Sequence, residues 1–177
     1  MIQLIFLVTG LAFFGSSQTP STTDWRGLSP LKSTRLDVER TLGSPDSKGD
    51  NQMTYYLSDV TVVLFFSTNP KCENKLPYTS WNVTSDTVTA IDVSFRHPPL
   101  VAEARFDLAK FKKIKGPSDM IGRYYYLNAD GSFAIEGDDN HIAGYHYRPG
   151  SKQNHLRCEP SKHHYDSQNP NRPPGGN

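Results

Sequence analysis

The residues best suited to hold a metal ion are three histidines, His141, His146 and His155, together with Asp138 and Asp139. Imidazole and carboxylate groups are common ligands of zinc. His141 and His146 are five positions apart in a segment that is typical of a β-strand, so their side chains would point to opposite sides of it. This spacing argues against one metal bound by both histidines. We expect solvent-facing strand and turn residues here, and no cofactor.

Hydrolytic chemistry has weaker support from the sequence. The lysines of segment 110–115 and the histidines are residue types that cleave phosphodiesters, but nothing fixes their relative positions. The chain contains no G-x-S-x-G nucleophile elbow. No catalytic residue is therefore predicted, and a hydrolytic enzyme of unknown type is only the third hypothesis on function.

Cys72 and Cys158 are the only cysteines in the chain. An even number of cysteines in an exported protein predicts a disulfide, and two unpaired thiols are the alternative. A bridge between them would close a long loop, which the chain-entropy model values at about 4 kcal/mol of stability. Two cysteines alone supply too few ligands for a cysteine-only metal site.

Tyrosines are the residues whose number and placement best suit binding. On a sheet face that no helix covers, their rings offer contact area at a low cost in conformational entropy. Packing beneath helices or loops is the alternative. With the neighbouring lysines, the predicted binding residues are Tyr55, Tyr124, Tyr126, Tyr145, Tyr147, Lys110, Lys112 and Lys113.

The N-terminal residues 1–17 predict export. They contain no Lys, Arg, Asp or Glu, and an apolar run at 2–14 precedes the small residues Gly15-Ser16-Ser17. This pattern is typical of a secretory signal peptide, and the apolar run is shorter than the roughly 20 residues of a membrane span. We expect cleavage near Ser17 and a secreted or periplasmic protein with no transmembrane span. The formal net charge of +1 does not favour nucleic-acid binding.

Two helices and a series of strands would position these residues. A helix is expected at 34–42, where Thr34 and Asp37 fit a capping box and Gly43 ends the helix. A second helix is predicted at 106–115, with apolar side chains on one side and lysines on the other. Strands are predicted at 53–57, 61–66, 87–95, 123–127, 132–136 and 141–147.

One pattern, a helix ending in glycine followed by a tyrosine-rich hairpin and a strand, occurs twice in the chain. The expected fold is therefore an α+β domain at 25–160. It has two similar halves, about 25–96 and 97–160, each a short helix packed on an antiparallel β-sheet, and the halves share one core. A flexible leader at 18–24 precedes the domain. A disordered tail rich in Pro, Asn, Gly and His follows it at 161–177.

Residues 30–46, PLKSTRLDVERTLGSPD, are followed by Tyr55-Tyr56 and an apolar strand. A helix with this V…LG-P pattern, followed by antiparallel strands ending in V-x-x-I (here 88–91), is similar to the repeat of the BamE/SmpA–OmlA family. In tandem the unit resembles the β-lactamase-inhibitor-protein-like fold. The resemblance implies a small α+β scaffold for protein–protein contact. Family members are typically lipoproteins of outer-membrane assembly, whereas this chain lacks the lipobox cysteine, so a secreted bacterial member without the lipobox is expected.

The first hypothesis on function is a non-enzymatic binding module that recognises a protein or cell-envelope partner through an aromatic-rich sheet face. The alternative is a module that binds glycan or anionic lipid through the basic helix that contains 110–115. Binding driven by charge would weaken steeply with salt, whereas recognition through the sheet face would depend on tyrosines.

Overall fold

A computed structural model describes residues 21–68, 72, 81–116 and 122–158 of the chain. The predicted signal peptide at 1–17 and the predicted tail at 161–177 lie outside these residues. Of the helices in the described parts, none is long and apolar enough to cross a membrane.

One antiparallel sheet of eight strands dominates the described structure. Its strands are β1 Ser47–Lys48, β2 Gln52–Tyr56, β3 Val60–Phe66, β4 Val88–Phe95, β5 Lys112–Lys115, β6 Tyr124–Leu127, β7 Phe133–Gly137 and β8 Ile142–Tyr147. The spatial order is β1-β2-β3-β4-β8-β7-β6-β5. Each group of four strands is a meander, and the two meanders join where β4 pairs with β8.

The first predicted helix is confirmed as α1, Arg35–Leu42. The Thr34 side chain accepts a hydrogen bond from the Asp37 N–H, and Asp37 Oδ2 accepts one from the Thr34 N–H at 2.9 Å, which completes the capping box. Gly43 ends the helix at a φ of 82°, a conformation that a residue without Cβ adopts at little cost. Tyr55 Oη donates to the Gly43 carbonyl oxygen at 3.2 Å and links the helix end to the sheet.

The prediction of a second helix at 106–115 is wrong, and so is the prediction of two halves that each pack a helix on a sheet. This segment holds only the 3₁₀ turn Leu108–Lys110 before the chain extends into β5, which pairs with β6. The rings of Phe106 and Phe111 lie on either side of the turn and contact Phe133 of the sheet, at centroid distances of 5.4 and 6.2 Å. Packing on the sheet therefore prevails over helix formation. Two further 3₁₀ segments span Val101–Glu103 and Ser151–Leu156.

The pairing register assigns each strand residue to one of two faces, because residues opposite each other point to the same side. One side, the core face, packs against Leu28 and against Val38 of α1. The strand residues of the core face include Met53, Tyr55, Val60, Val62, Leu64, Ile91, Val93, Lys113, Lys115, Tyr124, Tyr126, Phe133, Ile135, Tyr145 and Tyr147.

The opposite side of the sheet is the outer face. It consists of Gln52, Thr54, Tyr56, Thr61, Val63, Phe65, Ala90, Asp92, Ser94, Lys112, Ile114, Tyr125, Leu127, Ala134, Glu136, Gly144 and His146. Thr54, Ala90 and Gly144 are buried, and the other members are half-buried or exposed.

The Cys72–Cys158 disulfide is present, which confirms the pairing predicted from the cysteine count. The two residues are separated by 86 positions. Cys72 follows β3 of the first meander, and Cys158 follows the last 3₁₀ segment, beyond β8. The bridge therefore links the two parts of the chain covalently, in addition to the pairing of β4 with β8.

Gly144→Ala should destabilise the protein, because a Cβ at this position of β8 would collide with the Val93 carbonyl oxygen of β4. We expect a loss of about 1–3 kcal/mol in the free energy of unfolding, measured by urea denaturation of the oxidised protein. Gly49→Ala is the control, since its Cβ would approach nothing closer than the Gln52 carbonyl oxygen at 3.7 Å. Equal stability of both variants would contradict the close approach of β8 to β4.

Candidate functional site

Five charged side chains cross the middle of the outer face, where the two meanders meet. Asp92 comes from β4, His146 from β8 and Glu136 from β7. Arg123 immediately precedes β6, and Arg148 immediately follows β8. In the order of their contacts these residues form the ion chain Arg148, Asp92, His146, Glu136 and Arg123.

His146 is the centre of the ion chain. Its Nδ1 lies 2.7 Å from Asp92 Oδ1, and its Nε2 lies 2.9 Å from Glu136 Oε2. An ionised carboxylate only accepts hydrogen bonds, so this geometry suits a ring that donates from both nitrogens, which is the imidazolium form. Arg148 Nη2 donates to Asp92 Oδ1 at 2.6 Å, and Arg123 Nη1 lies 3.8 Å from Glu136 Oε1.

The environment sets opposite pKa shifts on the two central groups. Burial alone would lower the pKa of His146, but the hydrogen bonds and charges of Asp92 and Glu136 outweigh it and raise the pKa above the ordinary 6.5. Burial alone would raise the pKa of Asp92, but His146 and Arg148 outweigh it and lower the pKa below the ordinary 3.8. Both shifts favour the charged forms of the pair.

This geometry does not suit His146 to proton abstraction or metal ligation. Both ring nitrogens are engaged with carboxylates, so neither has a lone pair directed at a substrate or a metal ion. Within the described ranges, no three or more His, Cys, Asp or Glu side chains are arranged to hold a metal ion. What the ion chain offers is a fixed pattern of positive and negative groups, each less than half exposed, on an otherwise partly apolar face.

All five tyrosines predicted to bind lie on the core face of the sheet. Tyr55 and Tyr147 are only 1% and 2% exposed, so they form the core and cannot belong to an exposed surface. The ring of Tyr145 packs 5.0 Å from that of Phe95, and burial raises its pKa. Alternation along a strand shows which residues share a face, but not which face is buried, so the sequence did not show that Tyr55 and Tyr147 belong to the core. Tyr56 and Tyr125 are the tyrosines of the outer face.

Tyr124, Tyr126 and Lys113 are brought together at the margin of the core face. Lys113 Nζ lies 3.7 Å from the ring centroid of Tyr124 and 5.5 Å from that of Tyr126. The same Nζ donates to Asp139 Oδ1 at 3.1 Å, and this bond raises the pKa of Lys113. The lysine is therefore already paired with a carboxylate and with aromatic rings.

The other two predicted lysines lie apart from this group. Lys110 belongs to a 3₁₀ turn, where its Nζ is 3.4 Å from Asp107 Oδ2. Lys112 is exposed on the outer-face side of β5. The three lysines do not share one basic helix face, because β5 takes the place of the predicted helix.

The three histidines considered for a metal site do not converge. His141 Nδ1 lies 3.7 Å from Asp138 Oδ1 at the β7–β8 turn. His155 Nδ1 lies 3.1 Å from the Lys152 carbonyl oxygen in the last 3₁₀ segment. The His146 site is built instead from strand residues, of which Glu136 is 10 positions away in sequence and Asp92 is 54.

Sequence reasoning missed Asp92, Glu136 and the role of His146. Asp92 is the only charged residue in β4, and Glu136 is the only one in β7. A single charge within an otherwise apolar strand is the signal that indicates a partner on a neighbouring strand. The identity of that partner depends on strand order, which the sequence does not show.

Comparisons of the chain with protein-family models, with curated proteins and with solved structures find no significant match. The resemblance to the BamE/SmpA–OmlA family therefore stays a prediction.

The pH dependence of stability should follow the two shifted pKa values. His146 contributes fully below pH 6.5, and its contribution is lost as the pH rises through its raised folded-state pKa. Asp92 contributes fully above pH 3.8, and its contribution is lost as the pH falls through its lowered folded-state pKa. We therefore expect the ion chain to stabilise the protein most between these two values, as measured by urea denaturation across a pH series.

His146→Gln should lower the free energy of unfolding by about 1–3 kcal/mol at acidic pH, since two half-buried carboxylates lose their donor. As the pH rises above 6.5, the free energy of unfolding of this variant should fall less than that of the wild type. His155→Gln, at an exposed position, is the control that keeps the wild-type profile. An unchanged alkaline profile in His146→Gln would show that His146 does not carry this dependence.

Proposed function

We propose that the protein is a non-enzymatic binding module that recognises a protein partner through the outer face of its sheet. The observation that carries this proposal is the composition of that face. A fixed ion chain occupies its middle, and aromatic and apolar side chains that keep contact with solvent lie on both sides.

The apolar side chains of the outer face lie on both sides of the ion chain. Tyr56 of β2 is 58% exposed, and Ile114 of β5 is 38% exposed. Val63 and Phe65 of β3 are half-buried, as is Leu127 of β6. Tyrosine, phenylalanine and arginine are enriched in protein interfaces, and this combination beside charged groups supports a protein partner.

The ion chain supports recognition because its groups are held in place before binding. His146 is fixed by two carboxylates, and each of these carboxylates faces an arginine. Side chains that are already ordered lose less conformational entropy when a partner binds. An outer face with a rigid charged centre can therefore select partners by charge pattern as well as by shape.

The glycan or lipid alternative loses its structural support. It depended on a basic helix, whereas Lys110 and Lys113 are each paired with an aspartate and lie on different elements. The described part of the chain therefore offers no basic helix face on which glycan or anionic lipid would bind.

We further infer that the mature protein acts outside the cytoplasm, in the periplasm or the medium. The composition of residues 1–17 supports export. The Cys72–Cys158 disulfide also supports it, since such bridges persist in oxidising compartments. A protein of the cell envelope or of the medium is accordingly the proposed partner.

Tyr56→Ser should reduce capture of the partner at least about fivefold, because tyrosine is enriched among the interface residues whose truncation costs more than about 1 kcal/mol. The measurement is recovery from envelope and culture fractions on immobilised, oxidised protein, followed by mass spectrometry. Leu36→Ser is the matched control, since Leu36 is 62% exposed but lies on α1, away from the outer face.

A protein recovered equally by wild type and Leu36→Ser and lost by Tyr56→Ser would support the outer face as the binding surface. Loss on Leu36→Ser with retention on Tyr56→Ser would contradict it. Recovery of no protein at low salt would contradict a protein partner.

A further inference from the structure

We propose that the partner inserts an acidic segment into a basic cleft at the margin of the outer face. This inference rests on the proposed function, because it names the chemistry of the partner. The cleft has a volume of about 460 Å³, and its charged and titratable lining consists of Arg96, His97, Arg123, Asp138 and His141.

The cleft forms where three separate parts of the chain meet. Arg96 and His97 directly follow β4, Arg123 precedes β6, and Asp138 and His141 lie in the connection between β7 and β8. The contact of Arg96 with Tyr56 and that of Arg123 with Glu136 place both arginines beside outer-face residues. The cleft is therefore continuous with the face that carries Tyr56 and the ion chain.

The two arginines are not fully neutralised. Arg96 Cζ lies 5.9 Å from the Tyr56 ring centroid, and in the described part of the chain no carboxylate forms an ion pair with it. Arg123 Nη1 is 3.8 Å from Glu136 Oε1, too far for a direct hydrogen bond. Both guanidinium groups therefore retain N–H donors for an acceptor from outside.

Asp138 is the single carboxylate in the cleft lining, and it is already engaged. Its Oδ1 accepts the backbone N–H groups of Asn140 at 2.8 Å and His141 at 2.7 Å. These bonds lower the pKa of Asp138, and the bond from Asn140 has the larger effect. The carboxylate shapes the turn, and the two arginines outnumber it in the charged lining, so the cleft favours an anionic ligand.

A carboxylate on a protein segment fits this arrangement better than a free anion does. The planar guanidinium fork of Arg96 matches both oxygens of a carboxylate. Tyr56 beside it is 58% exposed and offers apolar contact to a neighbouring residue of the same segment. A segment that carries an acidic side chain and an apolar one two positions apart would use both groups, because these point to the same side of an extended chain. An inorganic anion would use the charge alone.

Fluorescence anisotropy with a labelled peptide that carries Glu and Val two positions apart, the Glu–Val peptide, tests the proposal. We expect wild type to bind this peptide with an affinity that falls as salt rises, and not to bind the Gln–Val counterpart. Arg96→Gln should weaken binding at least about tenfold, since charge-assisted hydrogen bonds are lost. Arg40→Gln is the matched control, because Arg40 is an exposed arginine on α1 outside the cleft.

Equal affinity of wild type and Arg96→Gln for the Glu–Val peptide would overturn the proposal. It would also be overturned if heparin or phosphatidylglycerol vesicles bound in an Arg96-dependent manner and the peptide did not. Capture on Arg96→Gln separates this inference from the proposed function. If the captured partner requires Tyr56 but is still captured by Arg96→Gln, the proposed binding through the outer face is supported and the proposed acidic segment is contradicted.

Discussion

The pairing of β4 with β8 is the constraint on which the rest of this structure depends. It joins two four-stranded meanders into one sheet through the residue pairs Ile91–Tyr147, Asp92–His146, Val93–Tyr145 and Ser94–Gly144. The first and third of these pairs point to the core face, where Ile91, Val93 and Tyr147 are buried. The second points to the outer face and begins the ion chain. One seam therefore builds the hydrophobic core and the candidate binding surface together.

The ion chain also gives this seam a defined register. A shift of one residue along β8 would move His146 to the core face and a tyrosine to the outer face. The imidazolium would then be buried among apolar residues without its two carboxylates, at a cost of several kcal/mol. A charge cluster of this kind adds modest net stability, because desolvation offsets much of the attraction. Its larger effect is to exclude alternative pairings of β8, and we propose that this gives the outer face the rigidity that selective binding requires.

Local features of the fold were predictable from the sequence, and long-range ones were not. Thr34 and Gly43 carry specific cap signals, so α1 was predicted within one residue, and the cysteine count indicated the disulfide. The segment 106–115 was misassigned because its apolar spacing fits a helix, while the contact that decides its conformation is with Phe133, which lies far along the chain. Tyr56 and Tyr125 of the outer face each lie one position from a tyrosine that was predicted to bind. The prediction therefore selected residues of the opposite face. Asp92 meets His146 in the ion chain only because β4 pairs with β8, and no local pattern encodes that pairing.

A charged His146, held by Asp92 and Glu136 across the β4–β8 seam, organises the outer face. The most direct test is a pH titration of the oxidised, ¹⁵N-labelled protein that follows both ring nitrogens of His146 by NMR. We expect a midpoint above the ordinary 6.5, with both ring N–H protons visible and slow to exchange below it. A midpoint at or below 6.5, or a neutral ring with one unprotonated nitrogen below that pH, would contradict it.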